Sequence, residues 1–353
     1  MAGEKVLVAM SGGVDSSVAA LLLKEQGCAP IGVFMRSGVT IREDAEGSPR
    51  CCSVQDAEDA RRVAGELGIP FYVLNFARDF ERLIGRFCEE YGRGRTPNPC
   101  ILCNRDLKFG RLFEYADLVG AAWLATGHYA RVEWEAGRWR LKRGLDRAKD
   151  QSYVLFPIGP ERLERVRLPL GELTKPEVRA LARRAGLPVR DKPESQDICF
   201  VTGSIGDLIR ARRPDLVRPG PILDTAGREL GRHEGVVNFT IGQRKGLGIA
   251  SAQPRYVAEI RAADAAVVIG PREALASKGL VAEEMVWHDP PPAEPVRAEV
   301  QIRYRHAAAP AWLTRLEGGR ADARFDEPQH AVTPGQAAVF YRDDRVLGGG
   351  WIV

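Results

Sequence analysis

No run of the chain comes near the ~18 uninterrupted apolar residues of a membrane helix, so no membrane association is expected. The opening Met-Ala-Gly-Glu-Lys-Val-Leu-Val-Ala-Met lacks the apolar stretch and small-residue cleavage site of a secretory leader, and the expected location is the cytoplasm. There is no excess of one charge: Lys plus Arg is 51, Asp plus Glu is 47, and the net is +4. A nucleic-acid partner is therefore not announced by bulk charge, and any footprint must be local. No internal repeat or low-complexity tract is visible. Cysteine is absent beyond residue 199, and the seven present are Cys28, Cys51, Cys52, Cys88, Cys100, Cys103 and Cys199. An odd number confined to one part of a long chain is no extracellular disulfide framework. It points to thiol chemistry or metal binding in a reducing compartment.

What is present is ordinary for a folded protein. The 353 residues are 44% hydrophobic and 28% charged, which suggests two or three domains and excludes a disordered or collagen-like chain. Up to about residue 203 the hydrophobic period alternates. Strands are expected at Lys5 to Met10, Ile31 to Met35, Phe71 to Phe76 and Trp123 to Thr126. Helices are expected at Ser16 to Gln26, from the capping-box-like Ser53-Val-Gln-Asp56 to about Leu67, from Asp79 to Tyr91, and from about Asn104 to Leu118. Such alternation implies an α/β fold with a parallel sheet and ligands at the carboxyl ends of its strands. Beyond residue 203 the texture changes. Pro219 to Asp224 and Gly227 to Leu230 look like short strands around a turn, and Gly242-Gln-Arg-Lys-Gly-Leu-Gly248 is a basic glycine-rich loop. Apolar residues alternate from Val296 to Tyr304, with turns at Gly318-Gly319 and Asp343-Asp344. That pattern predicts a small antiparallel barrel or sandwich, with Pro290-Pro-Pro292 either a linker or a barrel loop.

Ser11-Gly-Gly-Val-Asp-Ser-Ser17 lies between the first strand and the first helix. Glycines let the backbone turn tightly and bring N–H groups to an anion, the helix dipole adds positive potential, and Ser16 and Ser17 add hydroxyls. It is a phosphate cradle, but neither a Walker A loop nor a dinucleotide fingerprint. The segment resembles the PP-loop of the ATP pyrophosphatases, which cleave ATP to AMP and pyrophosphate while adenylating a substrate oxygen. That group includes amide-forming synthetases as well as RNA-thiolating enzymes.

Thr96-Pro-Asn-Pro-Cys-Ile-Leu-Cys-Asn104 holds a Cys-x-x-Cys pair, Cys100 and Cys103, stiffened by Pro97 and Pro99. Cys103 is expected at or near a helix N-terminus, where thiolate is favoured. Read blandly, the pair is half a zinc site whose other half is missing, and Cys199, in Ser195-Gln-Asp-Ile-Cys-Phe200, is a small buried hydrophobe. Cys28 and Cys88 read as core, and Cys51-Cys52 has no assigned role.

Taken whole, the chain resembles the bacterial tRNA-specific 2-thiouridylases. The resemblance is carried by Ala9-Met-Ser-Gly-Gly-Val-Asp-Ser16, Gly94-Arg-Thr-Pro-Asn-Pro99, Cys103-Asn104, Ala125-Thr-Gly-His-Tyr129, Lys149-Asp-Gln-Ser-Tyr153 and Ile198-Cys-Phe200. Further along it is carried by Thr240-Ile-Gly-Gln-Arg-Lys-Gly-Leu-Gly248, Arg303-Tyr-Arg305, Thr333-Pro-Gly-Gln336 and Leu347-Gly-Gly-Gly350. It implies a PP-loop ATP-binding catalytic domain over residues 1–203, a central tRNA-contacting domain over 204–275, and a C-terminal antiparallel β-barrel over 276–353. The implied reaction is 2-thiolation of the wobble uridine in the tRNA anticodon stem-loop, using ATP with Mg2+. The C2 oxygen attacks the α-phosphate, and a persulfide on Cys199 supplies sulfur. Cys103 then attacks the persulfide, leaving a transient Cys103–Cys199 disulfide. An upstream sulfur carrier or cysteine desulfurase is the implied partner.

By the same resemblance Ala9, Met10, Ser11, Gly12, Gly13, Val14, Asp15, Ser16, Met35 and Gly127 bind ATP. Asn98, Pro99, Cys100, His128, Lys149, Asp150, Gln151, Arg303, Tyr304 and Gln336 contact tRNA. Cys100 departs from the family pattern, since some members have Asp there. It stands as a thiol acid/base, a spare resolving thiol or, with Cys103 and Cys199, one corner of an iron–sulfur cluster. The rival functions are a small-molecule adenylating synthetase, which would need no cysteines, and a non-enzymatic tRNA-binding or sulfur-carrier protein, which would form no AMP.

Overall fold

The computed structural model describes residues 3–38, 54–194, 198–201 and 203–353. The chain divides into two compact units. One is Met1–Leu83, Cys100–Thr202 and Asp344–Val346; the other is Ile84–Pro99, Gly203–Asp343 and Leu347–Val353.

In chain order the first part runs β1 (Lys5–Ala9), α1 (Val14–Glu25), β2 (Ala29–Arg36), α2 (Val54–Glu66), β3 (Phe71–Asn75) and α3 (Ala77–Gly92). It continues with α4 (Pro99–Leu102), a π-helix (Cys103–Arg111), α5 (Leu112–Leu118), β4 (Trp123–Thr126) and the hairpin β5 (Ala130–Glu135) and β6 (Arg138–Arg143). Then come α6 (Ser152–Leu155), β7 (Val166–Arg167) and α7 (Lys175–Arg184). Five strands form the expected parallel sheet, in the order β3-β2-β1-β4-β7. β1 is central because its run is apolar on both faces. Val6 and Val8 are wholly buried, each contributing about 1.5–3 kcal/mol relative to exposure. Val14, Val18 and Leu21 of α1 pack in the same core. β3 is at the edge and leaves Tyr72 exposed. α3 buries Phe80, Leu83, Ile84, Phe87, Cys88 and Tyr91, the i, i+3, i+4 rhythm of an amphipathic helix.

Two local readings change. The single helix expected from Asn104 to Leu118 is a π-helix followed by α5. Such i→i+5 turns are rare; this one buries Asn104, Leu107 and Phe109, with Asn104 Nδ2 donating to the Val154 carbonyl at 3.0 Å. The alternation that predicted a strand to Tyr304 ends at Gln301, and residues 303–306 form a turn with Arg305 at φ 61°.

The second unit holds α8 (Ile205–Arg212), capped by Ser204 Oγ accepting from the Asp207 N–H at 3.0 Å. A four-stranded sheet follows, formed by β8 (Gly220–Asp224), β9 (Glu229–His233), β10 (Tyr256–Arg261) and β11 (Ala266–Gly270) in the order β10-β11-β8-β9. The last six strands are β12 (Ala276–Trp287), β13 (Val296–Gln301), β14 (Ala309–Leu316), β15 (Arg320–His330), β16 (Ala337–Arg342) and β17 (Arg345–Ile352). They run β12-β15-β14-β13-β16-β17 and close through β12–β17, where Ala282 faces Ile352 and Trp287 faces Gly348. The C-terminal part is therefore a closed barrel rather than a sandwich, and Pro290 to Pro292 lie in its β12–β13 loop. Closure removes the exposed strand edges. Its interior is filled by Leu280, Val300, Leu313, Phe340 and Ile352.

Candidate active site

The phosphate loop connects β1 to α1, and its conformation is fixed from within. Gly12 has φ +73°, which an L side chain resists. Ser16 Oγ accepts from the Ser11 N–H at 3.1 Å, and the Ser16 and Ser17 hydroxyls donate to the Gly13 carbonyl at 3.2 and 2.8 Å. The first N–H groups of α1 have no intrahelical acceptor, as at any helix start. Such a row is the geometry that an anion site at a helix start requires. Gly127, just beyond β4, is needed for a steric reason: a Cβ there would sit 2.6 Å from Ser16 N and 2.7 Å from Asp15 C. The strand end thus abuts the helix start. Met35, near the end of β2, is buried. Ala9, Met10, Ser11, Gly12, Gly13, Val14, Asp15, Ser16, Met35 and Gly127 all lie in the first unit. Its glycine-lined row of N–H donors fits a nucleotide's phosphates.

Around Asp15 the structure gathers Tyr129 and Lys149, which belong to the quoted motifs, with Lys175 and Glu194, which belong to none. Lys175 Nζ lies 2.7 and 2.8 Å from the two Asp15 carboxylate oxygens and 2.9 Å from Glu194 Oε1. Glu194 Oε2 accepts from Lys149 Nζ at 2.7 Å, and the Tyr129 hydroxyl donates to Asp15 Oδ1 at 2.8 Å. Burial pushes the Glu194 carboxyl up, but the hydrogen bonds from Lys149 and Lys175 outweigh it and hold the group down to about 2. Burial, helped by the Asp15 charge, pushes the Tyr129 phenol well up, so it stays protonated and donating. The local signal for Lys175 was Thr174-Lys-Pro-Glu177, a helix-start pattern, and the Thr174 N–H indeed donates to Glu177 Oε2 at 2.7 Å. Nothing in that pattern says that its ammonium reaches a carboxylate 160 residues away.

Pro99 opens α4, which puts Cys100 in its first turn, and Cys100 is exposed. Cys103 starts the π-helix that continues α4 without a break, Leu102 being helical at φ −65°, ψ −40°. The pair is therefore one turn apart on a single helical segment, with Cys100 closer to its N-terminus and Cys103 half-buried. Cys199 is half-buried in a turn, and Phe200 beside it is buried. Cys28 and Cys88 are buried, as core positions. Cys51-Cys52 and Ser53 lie outside the described residues. Among the described residues no group of three His, Cys, Asp or Glu side chains is disposed to hold a metal ion. In this arrangement Cys100, Cys103 and Cys199 do not form the ligand set of a cluster.

Three family models match consecutive segments. Residues 4–203 match the tRNA methyl transferase HUP domain, 209–271 its PRC-barrel domain, and 277–352 the aminomethyltransferase beta-barrel domain. The tRNA-specific 2-thiouridylase MnmA of Geobacter metallireducens is 51% identical over 99% of this chain and 97% of its own length. That of Rhodopirellula baltica is 47% identical over 99% and 96%. The chain belongs to the tRNA-specific 2-thiouridylase family. A 4-thiouridine synthetase solved with RNA and ATP is a partial match, 22% identical over 60% of this chain and 51% of its own, with TM-score 0.37.

The positions that family likeness assigns to tRNA are placed unevenly. Lys149, Asp150, Gln151 and His128 belong to the first unit. Asp150 Oδ1 accepts from the Gly144 and Ser152 N–H groups at 2.9 and 3.1 Å, and Gln151 Oε1 accepts from the Tyr129 N–H at 3.0 Å. Lys149 is the partner of Glu194. His128 is buried, with Nδ1 2.7 Å from Thr126 Oγ1. Burial, with Lys108 nearby, keeps its pKa well below the ordinary value, so it is neutral. Asn98, Pro99, Arg303, Tyr304 and Gln336 belong to the second unit. There the Thr333-Pro-Gly-Gln336 segment grips the loop that carries Asn98: Gln336 Nε2 donates to the Thr96 carbonyl at 2.7 Å, and the Thr96 N–H donates to the Pro334 carbonyl at 2.8 Å. Arg303 is exposed, and the Arg305 guanidinium lies 5.4 Å from the Tyr304 ring centroid.

Proposed function

We propose that this protein converts the wobble uridine of tRNA to 2-thiouridine at the expense of ATP, releasing AMP and pyrophosphate. The observation that carries the reading is the joint presence, in one compact unit, of a phosphate loop without Walker lysine chemistry and three thiols, Cys100, Cys103 and Cys199. It is supported by the near-complete match to relatives named for that activity. ATP supplies the leaving group. The uridine C2 oxygen attacks the α-phosphorus and expels pyrophosphate, and the base is left carrying AMP on that oxygen. The terminal sulfur of a Cys199 persulfide attacks C2 while the Cys103 thiolate attacks the Cys199 sulfur. The C2–O bond to AMP breaks, and a Cys103–Cys199 disulfide forms; thiols then reduce it. The N–H row of α1 holds the phosphates. Lys175 keeps the Asp15 carboxylate neutralised beside them, and no step is assigned to Mg2+.

The three-part division at 1–203, 204–275 and 276–353 is proposed as catalytic, central and barrel domains. Asn98, Pro99 and Cys100 are proposed to surround the extruded base. His128, Lys149, Asp150, Gln151, Arg303, Tyr304 and Gln336 are proposed to contact or shape the tRNA surface, with Arg303 and Tyr304 offering charge and stacking. No helix among the described residues is long and apolar enough to cross a membrane. A cytoplasmic location and a persulfide-delivering protein partner complete the proposal. The test is incubation with ATP, a persulfide donor and unmodified tRNA, followed by nucleoside mass spectrometry. The reading predicts 2-thiouridine together with AMP; a methylated base, as the family-model descriptions would suggest, or an unchanged one contradicts it. Iron and sulfide analysis after anaerobic purification separates the persulfide route from the cluster route: a colourless, iron-free protein that still thiolates tRNA ends the latter.

A further inference from the structure

The phosphate loop is also held from outside, by a lysine that belongs to none of the motifs. Lys192 follows α7 in the chain. Its Nζ donates to the Gly12 carbonyl at 3.1 Å, to Asp56 Oδ1 at 2.7 Å and to Asp59 Oδ2 at 2.6 Å. An ammonium has three N–H donors, so all are committed. Asp56 and Asp59 lie in the first turns of α2 and are well shielded, with side chains 8% and 14% exposed. Gly12 presses on the same helix start, since a Cβ there would sit 2.2 Å from the Asp56 carbonyl oxygen.

Peptide planarity makes this contact matter for the site. In a trans peptide the C=O of Gly12 and the N–H of Gly13 point in opposite directions. Committing the carbonyl to Lys192 therefore fixes the Gly13 N–H on the other side of the loop, and no described residue accepts it. A flip of that plane would put an acceptor oxygen where a phosphate needs a donor. Lys192 does not act as an anion magnet, because two carboxylates already surround its one charge.

We propose that Lys192 is a positioning residue for the nucleotide's phosphates: it locks the Gly12–Gly13 peptide so that the Gly13 N–H completes the anion-binding row. The proposal rests on the nucleotide reading of the loop, not on the identity of the sulfur acceptor. It is tested by calorimetric binding of inorganic pyrophosphate, ATP and adenosine to the full chain. Lys192→Met is expected to weaken pyrophosphate and ATP about tenfold or more, the scale of one hydrogen bond to a charged group, and to leave adenosine within about twofold. Lys192→Arg, which can still donate to the carbonyl, is expected to recover most of the loss. If Lys192→Met does not fold because Asp56 and Asp59 are left without their cation, the triple variant Lys192→Met, Asp56→Asn, Asp59→Asn removes the ammonium and both charges together and must show the same phosphate-selective loss. Wild-type affinity for pyrophosphate in the folded variants overturns the proposal, as does an equal loss for adenosine. A wild-type chain that binds neither ATP nor pyrophosphate overturns the nucleotide reading itself, and this proposal with it.

Discussion

Glycine does two different jobs in the two units. In the phosphate loop, Gly12 and Gly127 bring backbone close to backbone so that N–H groups stay free for a ligand; their absent Cβ atoms would meet Asp56 O at 2.2 Å and Ser16 N at 2.6 Å. In the barrel, Gly348 and Gly350 do something that looks the same in sequence. Their missing Cβ atoms would meet the Val286 and Glu283 carbonyl oxygens at 2.6 and 2.5 Å, and the closeness lets β17 lie on β12. There the glycines serve strand pairing, with Trp351 opposite Glu283 and Gly349 opposite Val286. A glycine-rich motif marks close approach in both places, and only the unpaired N–H row separates chemistry from packing.

The comparison can be broken most sharply where neither glycine set is touched. Cys199→Ser and, separately, Cys103→Ser are expected to lower tRNA thiolation by about a thousandfold or more, the usual scale for loss of a nucleophile. Pyrophosphate release from ATP with tRNA should persist in both, because adenylation needs neither thiol. Next in size is the pair Gly12→Ala and Gly350→Ala. The first is expected to lower ATP affinity at least about tenfold through loss of aligned donors. The second is expected to leave ATP affinity alone and to destabilise the barrel by about 1–3 kcal/mol through overpacking, read as a lower melting midpoint. If both act on stability alone, the distinction between the two kinds of glycine fails.

Gln336→Ala sharpens the picture of the barrel as a support. It removes the bond to the Thr96 carbonyl and should weaken tRNA binding several-fold, about 1 kcal/mol, with ATP binding unchanged. A smaller effect is expected with pH. The Glu194 carboxyl is held down to about 2 from an ordinary 4.5, so its contribution to stability is full above about 4.5 and is lost as pH falls toward 2. Glu194→Gln should therefore show a flatter stability profile across that window in acid titrations followed by circular dichroism. An unchanged profile would mean that the Lys149 and Lys175 bonds do not hold in solution.

Much of this was legible in the chain itself, and the exceptions share a cause. β1, β4 and α1 follow from local apolar runs, and Ser11 to Ser17 names its own chemistry by lying between strand and helix. The barrel's closure is not in any local pattern, because it depends on β12 meeting β17 across the whole C-terminal sequence. The same is true of the groups around the phosphate loop. Lys175 reaches Asp15 over 160 residues and Lys192 reaches Gly12 over 180, and a lone lysine carries no signal of where its ammonium ends. The π-helix at Cys103 escaped for the opposite reason: a π turn and an α turn have almost the same residue pattern, and they differ only in which backbone carbonyl each N–H reaches. Family likeness marks Gln336 as a tRNA-contact position, and nothing local in Thr333-Pro-Gly-Gln336 says that its amide also donates to the Thr96 carbonyl.

The most direct measurement is a single turnover without reductant, on persulfide-loaded protein with ATP and unmodified tRNA, quenched by alkylation and mapped by peptide mass spectrometry. Each 2-thiouridine formed should be matched by one newly linked Cys103–Cys199 peptide pair. Thiouridine produced in full yield while both cysteines remain separately alkylated would contradict the two-thiol mechanism.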